Sequence, residues 1–153
     1  MKLIDILKES SVIADLQANT KTEVLDALVN AVAKSYPAID KREMLNVLLE
    51  REKLGSTGIG DGIAIPHGKL PNIPDIISGF ALSKSGIEFD SLDGKPAYLF
   101  FLLVAPDNSV GTHLKMLARI SRMLKNTAFR NKLMNATSQK DIYRIISEED
   151  SKY

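Results

Sequence analysis

The chain has 153 residues, of which 44% are hydrophobic and 25% charged, with a net charge of only +1 and no cysteine. Near-neutrality argues against nucleic-acid binding, which needs clustered Lys and Arg, and the lack of cysteine excludes disulfides, thiolate catalysis and thiolate metal sites. There is no signal-peptide core and no apolar run near the roughly 20 residues of a membrane span. We therefore expect one cytoplasmic domain over residues 1–153, without membrane insertion.

Two helices are predicted in the first third of the chain. The first spans about Thr20 to Lys34, because Thr20 and Glu23 form a capping-box pattern. The second spans about Lys41 to Lys53, with Asp40 as its N-cap. Each carries an apolar stripe at helical spacing: Val24, Leu25, Leu28, Val29 and Val32 in the first, and Met44, Leu45, Leu48 and Leu49 in the second.

The middle of the chain is predicted to form strands. A very short strand, Ile63–Ile65, is ended by Pro66, which cannot donate the next ladder bond, and His67 is expected in a turn before Gly68. Two further short strands are expected at 76–82 and 87–89, separated by a turn at Ser85-Gly86. After a turn at Asp93-Gly94, the apolar run 97–104 is predicted to be a central strand buried on both faces.

Three helices are predicted after the last strand. A long one covers about Val110 to Lys125, with Leu114, Leu117, Ile120 and Leu124 facing inward and Lys115, Arg119, Arg122 and Lys125 facing solvent. Shorter ones start near Thr127 and near Ser138, the last with Ile142, Ile145 and Ile146 inward. Helices on both sides of a block of strands predict a three-layer α/β/α domain with a mixed sheet.

The glycine-rich stretch from Gly55 to Gly62 is the first candidate site. Its backbone N–H groups are able to form an anion-binding nest, and we take Gly55, Ser56, Thr57, Gly58 and Gly60 as candidate donors. It is neither a Walker A loop, since no Gly-Lys-Ser/Thr follows, nor a dinucleotide fingerprint, since a helix precedes it. A tight connection from helix to strand is the alternative explanation.

Three side chains are candidates for chemistry. His67, between a proline and a glycine, is one of only two histidines; its imidazole titrates near pH 6.5 and acts as a nucleophile, base or ligand. His113 lies near the start of the long helix, where α/β domains gather ligands. Arg51 precedes the glycine loop and suits bidentate binding of phosphoryl oxygens. The alternatives are a surface or core histidine without a catalytic role for His67, a structural histidine for His113, and a solvated helix-end charge for Arg51.

These segments resemble one family closely. The stretch from Gly55 to Lys69, the preceding Leu49-Glu50-Arg51-Glu52, and Thr112-His113-Leu114 with Leu117-Ala118-Arg119-Ile120-Ser121-Arg122 are similar to IIA domains of the phosphoenolpyruvate-dependent sugar phosphotransferase system. The chain resembles the fructose/mannitol branch of this family, and the sequence of the motif is most similar to the nitrogen-regulatory members of that branch. The resemblance extends over almost the whole chain and implies the three-layer fold predicted above.

The resemblance implies a phosphotransferase component without cofactor or metal. His67 would accept a phosphoryl group from phospho-HPr as tele-phosphohistidine, with His113 as a hydrogen-bond partner and Arg51 neutralising phosphoryl oxygens. The receiver would be a cysteine on a separate IIB protein, because this chain has none. The alternative is a nitrogen-regulatory role, in which the phosphorylation state of His67 controls binding to regulatory partners.

One alternative belongs to another class. A metallohydrolase would use His67, His113 and Asp61 as ligands, although the wide separation of the two histidines lacks the local spacing typical of zinc sites.

Overall fold

The computed structural model describes residues 1–153, which form a six-stranded mixed sheet and five α-helices. The strands are β1 (Leu7–Ile13), β2 (Gly58–Gly60), β3 (Ile63–Ala64), β4 (His67–Lys69), β5 (Ile77–Ile87) and β6 (Ala97–Ala105). The helices are α1 (Lys21–Ser35), α2 (Lys41–Lys53), α3 (Val110–Leu124), α4 (Thr127–Asn135) and α5 (Gln139–Asp150). A short 3-10 turn at Leu3–Asp5 precedes β1.

Side-chain caps determine where most helices begin. The Thr20 hydroxyl accepts from the backbone N–H of Glu23 at the start of α1, and Asp40 accepts from Glu43 N–H at the start of α2. Ser138 caps α5 in the same way. These bonds satisfy backbone donors that the first turn leaves without an intrahelical partner, and they confirm the predicted starts of all three helices.

The sheet is built around β6. Its strand order is β1-β5-β6-β3-β2, and β4 pairs with β6 beyond the end of β3. The β5–β6 pair is antiparallel, whereas β3 and β4 both run parallel to β6. Because β4 pairs with β6 alone, its other side is a free edge of the sheet.

Two separate apolar cores cover the two faces of the sheet. Leu99, Phe101 and Leu103 of β6 pack with α3, α4 and α5, while Phe100, Leu102 and Val104 pack with α1 and α2. Alternate residues of a strand point to opposite faces, so a strand buried on both faces is apolar throughout. The predicted three-layer α/β/α fold and the central position of this strand are confirmed.

Strand β1 is absent from the predicted elements. Lys8, Glu9 and Ser10 are exposed in the middle of it, and its parallel pairing with β5 shifts register between Leu7 and Val12. The irregularity interrupts the alternation of apolar and polar residues by which a strand is recognised in a sequence.

The predicted turn at Ser85-Gly86 is wrong. Strand β5 continues through both residues to Ile87, and its register with β6 shifts between Leu82 and Ile87. Gly86 has φ +82° and its N–H donates to the Ser83 hydroxyl, so the left-handed glycine bends one strand instead of separating two. Phe89, placed in the second predicted strand, lies beyond β5 and packs against the ring of Phe100.

The buried face of α3 also differs from the prediction. Leu114 is 62% exposed, whereas His113, Met116 and Met123 are buried with Ile120 and Leu124. Arg119 does not face solvent freely, because its Nε donates to the buried carboxylate of Asp150 at 2.6 Å. No helix of the chain combines the length and apolar character that crossing a bilayer requires.

Candidate active site

Strand β4 sets the orientation of the first candidate histidine. The prediction of a turn at His67 is wrong, because His67, Gly68 and Lys69 pair in register with Leu103, Val104 and Ala105 of β6. His67 and Lys69 therefore lie on the α3 side of the sheet, while Gly68 faces α2. A Cβ atom at Gly68 would lie 2.7 Å from Val47 Cγ1, so glycine here allows α2 to approach closely rather than permitting a bend.

The half-buried ring of His67 has a fixed tautomer. Its Nδ1 lies 2.8 Å from the carbonyl oxygen of Ile65. A carbonyl only accepts hydrogen bonds, so Nδ1 carries the proton in neutral His67 and Nε2 carries the lone pair. The nucleophilic nitrogen of the neutral ring is therefore Nε2.

His113 is close to His67. The two ring centroids are 5.5 Å apart, with the planes at 81°. His113 lies one turn into α3 and is only 6% exposed, and its Nε2 is buried without a hydrogen-bond partner. A buried polar atom without a partner is uncommon and calls for an explanation such as a ligand or water; a ligand beside His67 would supply one.

Arg51 extends towards the two histidines from α2, on the opposite face of the sheet from α3. It lies in the last turn of α2, and its Nη1 donates to the carbonyl oxygen of Gly55 at 2.8 Å. Arg51, His67 and His113 line one open cavity of about 510 Å³ at the free edge of β4. The other lining residues are Val47, Glu50, Leu54, Gly68, Lys69, Val110, Leu114 and Leu117.

Both histidines are neutral over a wider pH range than a free imidazole. Burial lowers the pKa of His67; the Ile65 hydrogen bond and the Glu52 charge oppose this effect, and the Arg51 charge adds to it. Burial also lowers the pKa of His113, assisted by the charges of His67 and Lys69. A lowered pKa favours the form of His67 that attacks an electrophile.

Three backbone N–H groups of the glycine loop already have partners within the protein. The N–H of Gly55 donates to the Glu52 carbonyl, that of Thr57 to the Glu52 carboxylate, and that of Gly58 to the Ser56 hydroxyl. Gly58 and Gly60 belong to β2. None of the five candidate donors, Gly55, Ser56, Thr57, Gly58 and Gly60, lines the cavity. These observations favour the alternative explanation, in which the loop is a tight connection between helix and strand.

Glu52 is a positioning residue that the sequence did not indicate. It is 8% exposed, accepts from the backbone N–H and the hydroxyl of Thr57, and forms an ion pair with Lys21 at 3.1 Å. These bonds hold the loop that follows Arg51. A single charged residue beside other charged residues carries no sequence signal of burial, so only the fold identifies it.

The metallohydrolase alternative lacks a third ligand. Asp61 is exposed in the turn between β2 and β3, where its N–H bonds to Asp93, and it does not line the cavity. No group of three His, Cys, Asp or Glu side chains in the structure is placed to hold a metal ion.

Comparison with known proteins shows the family of the chain. Residues 5–149 match the family "Phosphoenolpyruvate-dependent sugar phosphotransferase system, EIIA 2". The chain is 39% identical to a nitrogen regulatory protein of Bradyrhizobium diazoefficiens, covering 96% of this chain and 95% of that protein. It is 35% identical to the fructose-specific EIIABC component of Bacillus subtilis, covering 98% of this chain but 24% of that longer protein.

A solved structure supports the same relationship. The nitrogen regulatory protein IIA-Ntr from Neisseria meningitidis superimposes with a TM-score of 0.85 at 30% identity, covering 93% of this chain and 97% of that one. The sequence motif, the six-stranded mixed sheet with helices on both faces, and the family match over residues 5–149 lead to one conclusion: the chain belongs to the EIIA type 2 family of the phosphoenolpyruvate-dependent sugar phosphotransferase system.

Proposed function

We propose that the protein is a cytoplasmic phosphoryl carrier in which His67 Nε2 accepts a phosphoryl group from phospho-HPr. The observation that carries this proposal is the tautomer of His67. The Ile65 carbonyl holds the proton on Nδ1, which leaves the Nε2 lone pair for attack in a cavity that also contains Arg51 and His113. The transfer is then an attack by Nε2 on the phosphorus atom of a donor phosphohistidine.

The step balances without a cofactor. As the new P–N bond to His67 Nε2 forms, the P–N bond to the donor imidazole breaks, and the donor ring retains that electron pair. The transition state is loose and places charge on three equatorial oxygens, so the protein mainly positions and neutralises the group. Because the donor is already a phosphohistidine, neither a nucleotide nor Mg²⁺ is needed.

Arg51 and His113 support the transferring group in different ways. The guanidinium of Arg51 has one N–H on the Gly55 carbonyl and further donors left for phosphoryl oxygens. His113 contributes a buried Nε2 that has no partner within the protein. When this nitrogen carries the proton of the neutral ring, it donates one hydrogen bond to the phosphoryl group and adds no charge.

We propose that the role of the protein is regulatory, in preference to a role in sugar transport. Relatives with 35–39% identity over nearly their whole length are named nitrogen regulatory proteins. This similarity favours the nitrogen-regulatory hypothesis over sugar transport. In this role, phosphorylated and unphosphorylated His67 present different surfaces to a regulatory partner. Transfer to a cysteine of a separate IIB protein is the second candidate, supported by the similarity to fructose EIIA components.

Labelling tests the carrier proposal. The protein is incubated with labelled phosphoenolpyruvate, enzyme I and HPr, and the acid-labile label is located by peptide mapping. We expect one phosphoryl group on His67, none on His67→Ala, and transfer slowed by roughly 10- to 100-fold in Arg51→Ala, which loses a charged donor. His113→Ala should slow transfer without removing the acceptor. A His67→Ala protein that still accepts label would show that the acceptor is elsewhere.

A chase experiment separates the two roles. Isolated phosphoprotein is mixed with a fructose-type IIB domain, and loss of label from His67 is followed with time. Rapid transfer to the IIB cysteine would support transport. We expect retention of the label, together with partner binding that differs between the phosphorylated protein and the His67→Ala variant.

A further inference from the structure

Lys69 lies on the same strand face as the proposed acceptor. His67 and Lys69 are two residues apart in β4, and each pairs with a β6 residue of the α3 side. Residues at this spacing are about 6.6 Å apart along a strand, a distance that the lysine side chain is long enough to cover. Both side chains line the same cavity.

Lys69 has no electrostatic partner within the protein. It is exposed and takes part in no side-chain hydrogen bond or salt bridge of the structure, whereas Lys53 is paired with Glu50 and Lys21 with Glu52. Glu50 is the one acidic residue that lines the cavity, and it is committed to its pair with Lys53. Lys69 is therefore a free cation in a cavity whose only other free cation is Arg51.

The charge of the proposed intermediate needs two such cations. A phosphoryl group on a side chain carries about −1.5 to −2 charges near neutral pH, so one guanidinium leaves roughly a third to a half of that charge uncompensated. We propose that Lys69 is a second phosphoryl-binding cation, which pairs with the oxygens on His67 Nε2 from within β4 while Arg51 binds them from α2. This inference rests on the proposed function.

The two cations differ in what they supply. Arg51 is held by its bond to the Gly55 carbonyl and offers a fixed planar fork, whereas the ammonium of Lys69 is a mobile point charge. Lys69 adds attraction as charge develops on the incoming oxygens, and it stabilises the phosphorylated state after transfer. The charge of Lys69 also contributes to the lowered pKa of His113, which places the ammonium within electrostatic reach of the histidine pair.

A different explanation for Lys69 is available from the fold. β4 is an edge strand, and lysines on edge strands prevent pairing with other chains. A cation at this position also suits contact with an acidic partner surface. The experiment must separate neutralisation of the phosphoryl group from both of these roles.

The test uses the full chain with Lys69→Gln, Lys69→Arg and, as a matched control, Lys115→Gln, which removes an exposed lysine of α3. Single-turnover phosphorylation is measured over a range of phospho-HPr concentrations, and the titration of the phosphoryl group on the isolated phosphoprotein is followed by phosphorus NMR. We expect Lys69→Gln to lower the rate at saturating donor by about tenfold and to raise the second pKa of the phosphoryl group. Lys69→Arg keeps a cation, so its rate at saturating donor and its phosphoryl pKa should both stay close to those of the unsubstituted protein. The rate of Lys115→Gln should stay within about twofold of the unsubstituted protein.

Each other outcome decides against the inference. An unchanged saturating rate and phosphoryl pKa in Lys69→Gln would leave Lys69 as an edge-strand residue. A rise in the donor concentration for half-maximal rate, with the phosphoryl pKa unchanged, would make it a partner contact. If the unsubstituted protein accepts no phosphoryl group, the proposed function itself fails. This result is distinguishable from a failure of the inference about Lys69, which would appear only in the Lys69 variants. Proton NMR of His113 gives a readout without phosphate: its pKa should rise in Lys69→Gln.

Discussion

The contact between Gly68 and Val47 controls how closely β4 approaches α2, and Gly68→Ala tests this directly. An added Cβ would lie 2.7 Å from Val47 Cγ1, about 0.7 Å inside the 3.4 Å at which ordinary contact begins. To relieve the clash, the helix and the strand must separate or Val47 must leave its rotamer. Since Arg51 is one turn beyond Val47 on α2 and His67 adjoins Gly68, the same separation would move Arg51 relative to His67.

The expected cost follows from two opposing effects. Overpacking by one methyl group typically destabilises by about 1–3 kcal/mol, whereas Gly→Ala without strain stabilises by about 0.4–1 kcal/mol through the unfolded state. We therefore expect Gly68→Ala to lower the free energy of unfolding by about 1–2 kcal/mol. Val47→Ala, which shortens a half-buried side chain, should cost about 1 kcal/mol by itself. The double variant should be more stable than the sum of the single changes predicts, by about 1–2 kcal/mol.

Urea denaturation of the four proteins of this cycle measures these quantities, and phosphoryl acceptance measures the displacement of Arg51. Gly111→Ala is the matched control, because nothing lies within 4 Å of a Cβ at Gly111; it should stabilise α3 by up to about 1 kcal/mol. Wild-type stability in Gly68→Ala, or strictly additive effects in the double variant, would refute the close-approach explanation.

Three further predictions concern charge. Glu52→Gln should cost about 1–3 kcal/mol in urea denaturation and lower the pKa of His67 further in NMR titration, since the Glu52 charge raises it. The lowered pKa values of His67 and His113 mean that the unfolded chain binds more protons below pH 6.5. Their contribution to stability is therefore complete above about pH 6.5 and lost as pH falls towards the lowered values, and a double His→Asn variant should show a flatter stability curve there. Asp150→Asn should cost about 3 kcal/mol by leaving Arg119 half-buried without its carboxylate, while the saturating rate of phosphoryl acceptance stays unchanged.

The helices were predictable because their signals are local. Thr20, Asp40 and Ser138 cap backbone donors only three residues away, and each apolar stripe repeats within a single element. The all-apolar run of β6 also predicted its central place, since burial on both faces leaves no polar position. The face of α3 was less predictable, because His113 and Leu114 are neighbours and only packing against the sheet decides which one is buried.

The strands were harder to predict because their partners are distant in sequence. β1 pairs with β5 across about half of the chain, and its exposed centre hides the alternation. Gly86 resembles a turn residue by itself, and the pairing of β5 with β6 both before it, at Leu82, and after it, at Ile87, makes it a bend within one strand. The separate parallel pairing of β4 with β6 places His67 in a strand, where the sequence indicated a turn.

For the candidate site, the sequence alone determined which residue types are present: two histidines, an arginine beside a glycine-rich loop, and no cysteine. Tertiary structure decided their arrangement. It brought the rings of His67 and His113 to 5.5 Å, bonded three of the loop N–H groups within the protein, and placed Lys69 in the cavity. The physical reason is that the residues of a motif are read along the chain, whereas the distances between side chains and the absence of a charge partner depend on which strand lies beside which. Strand pairing is established by contacts across the whole fold.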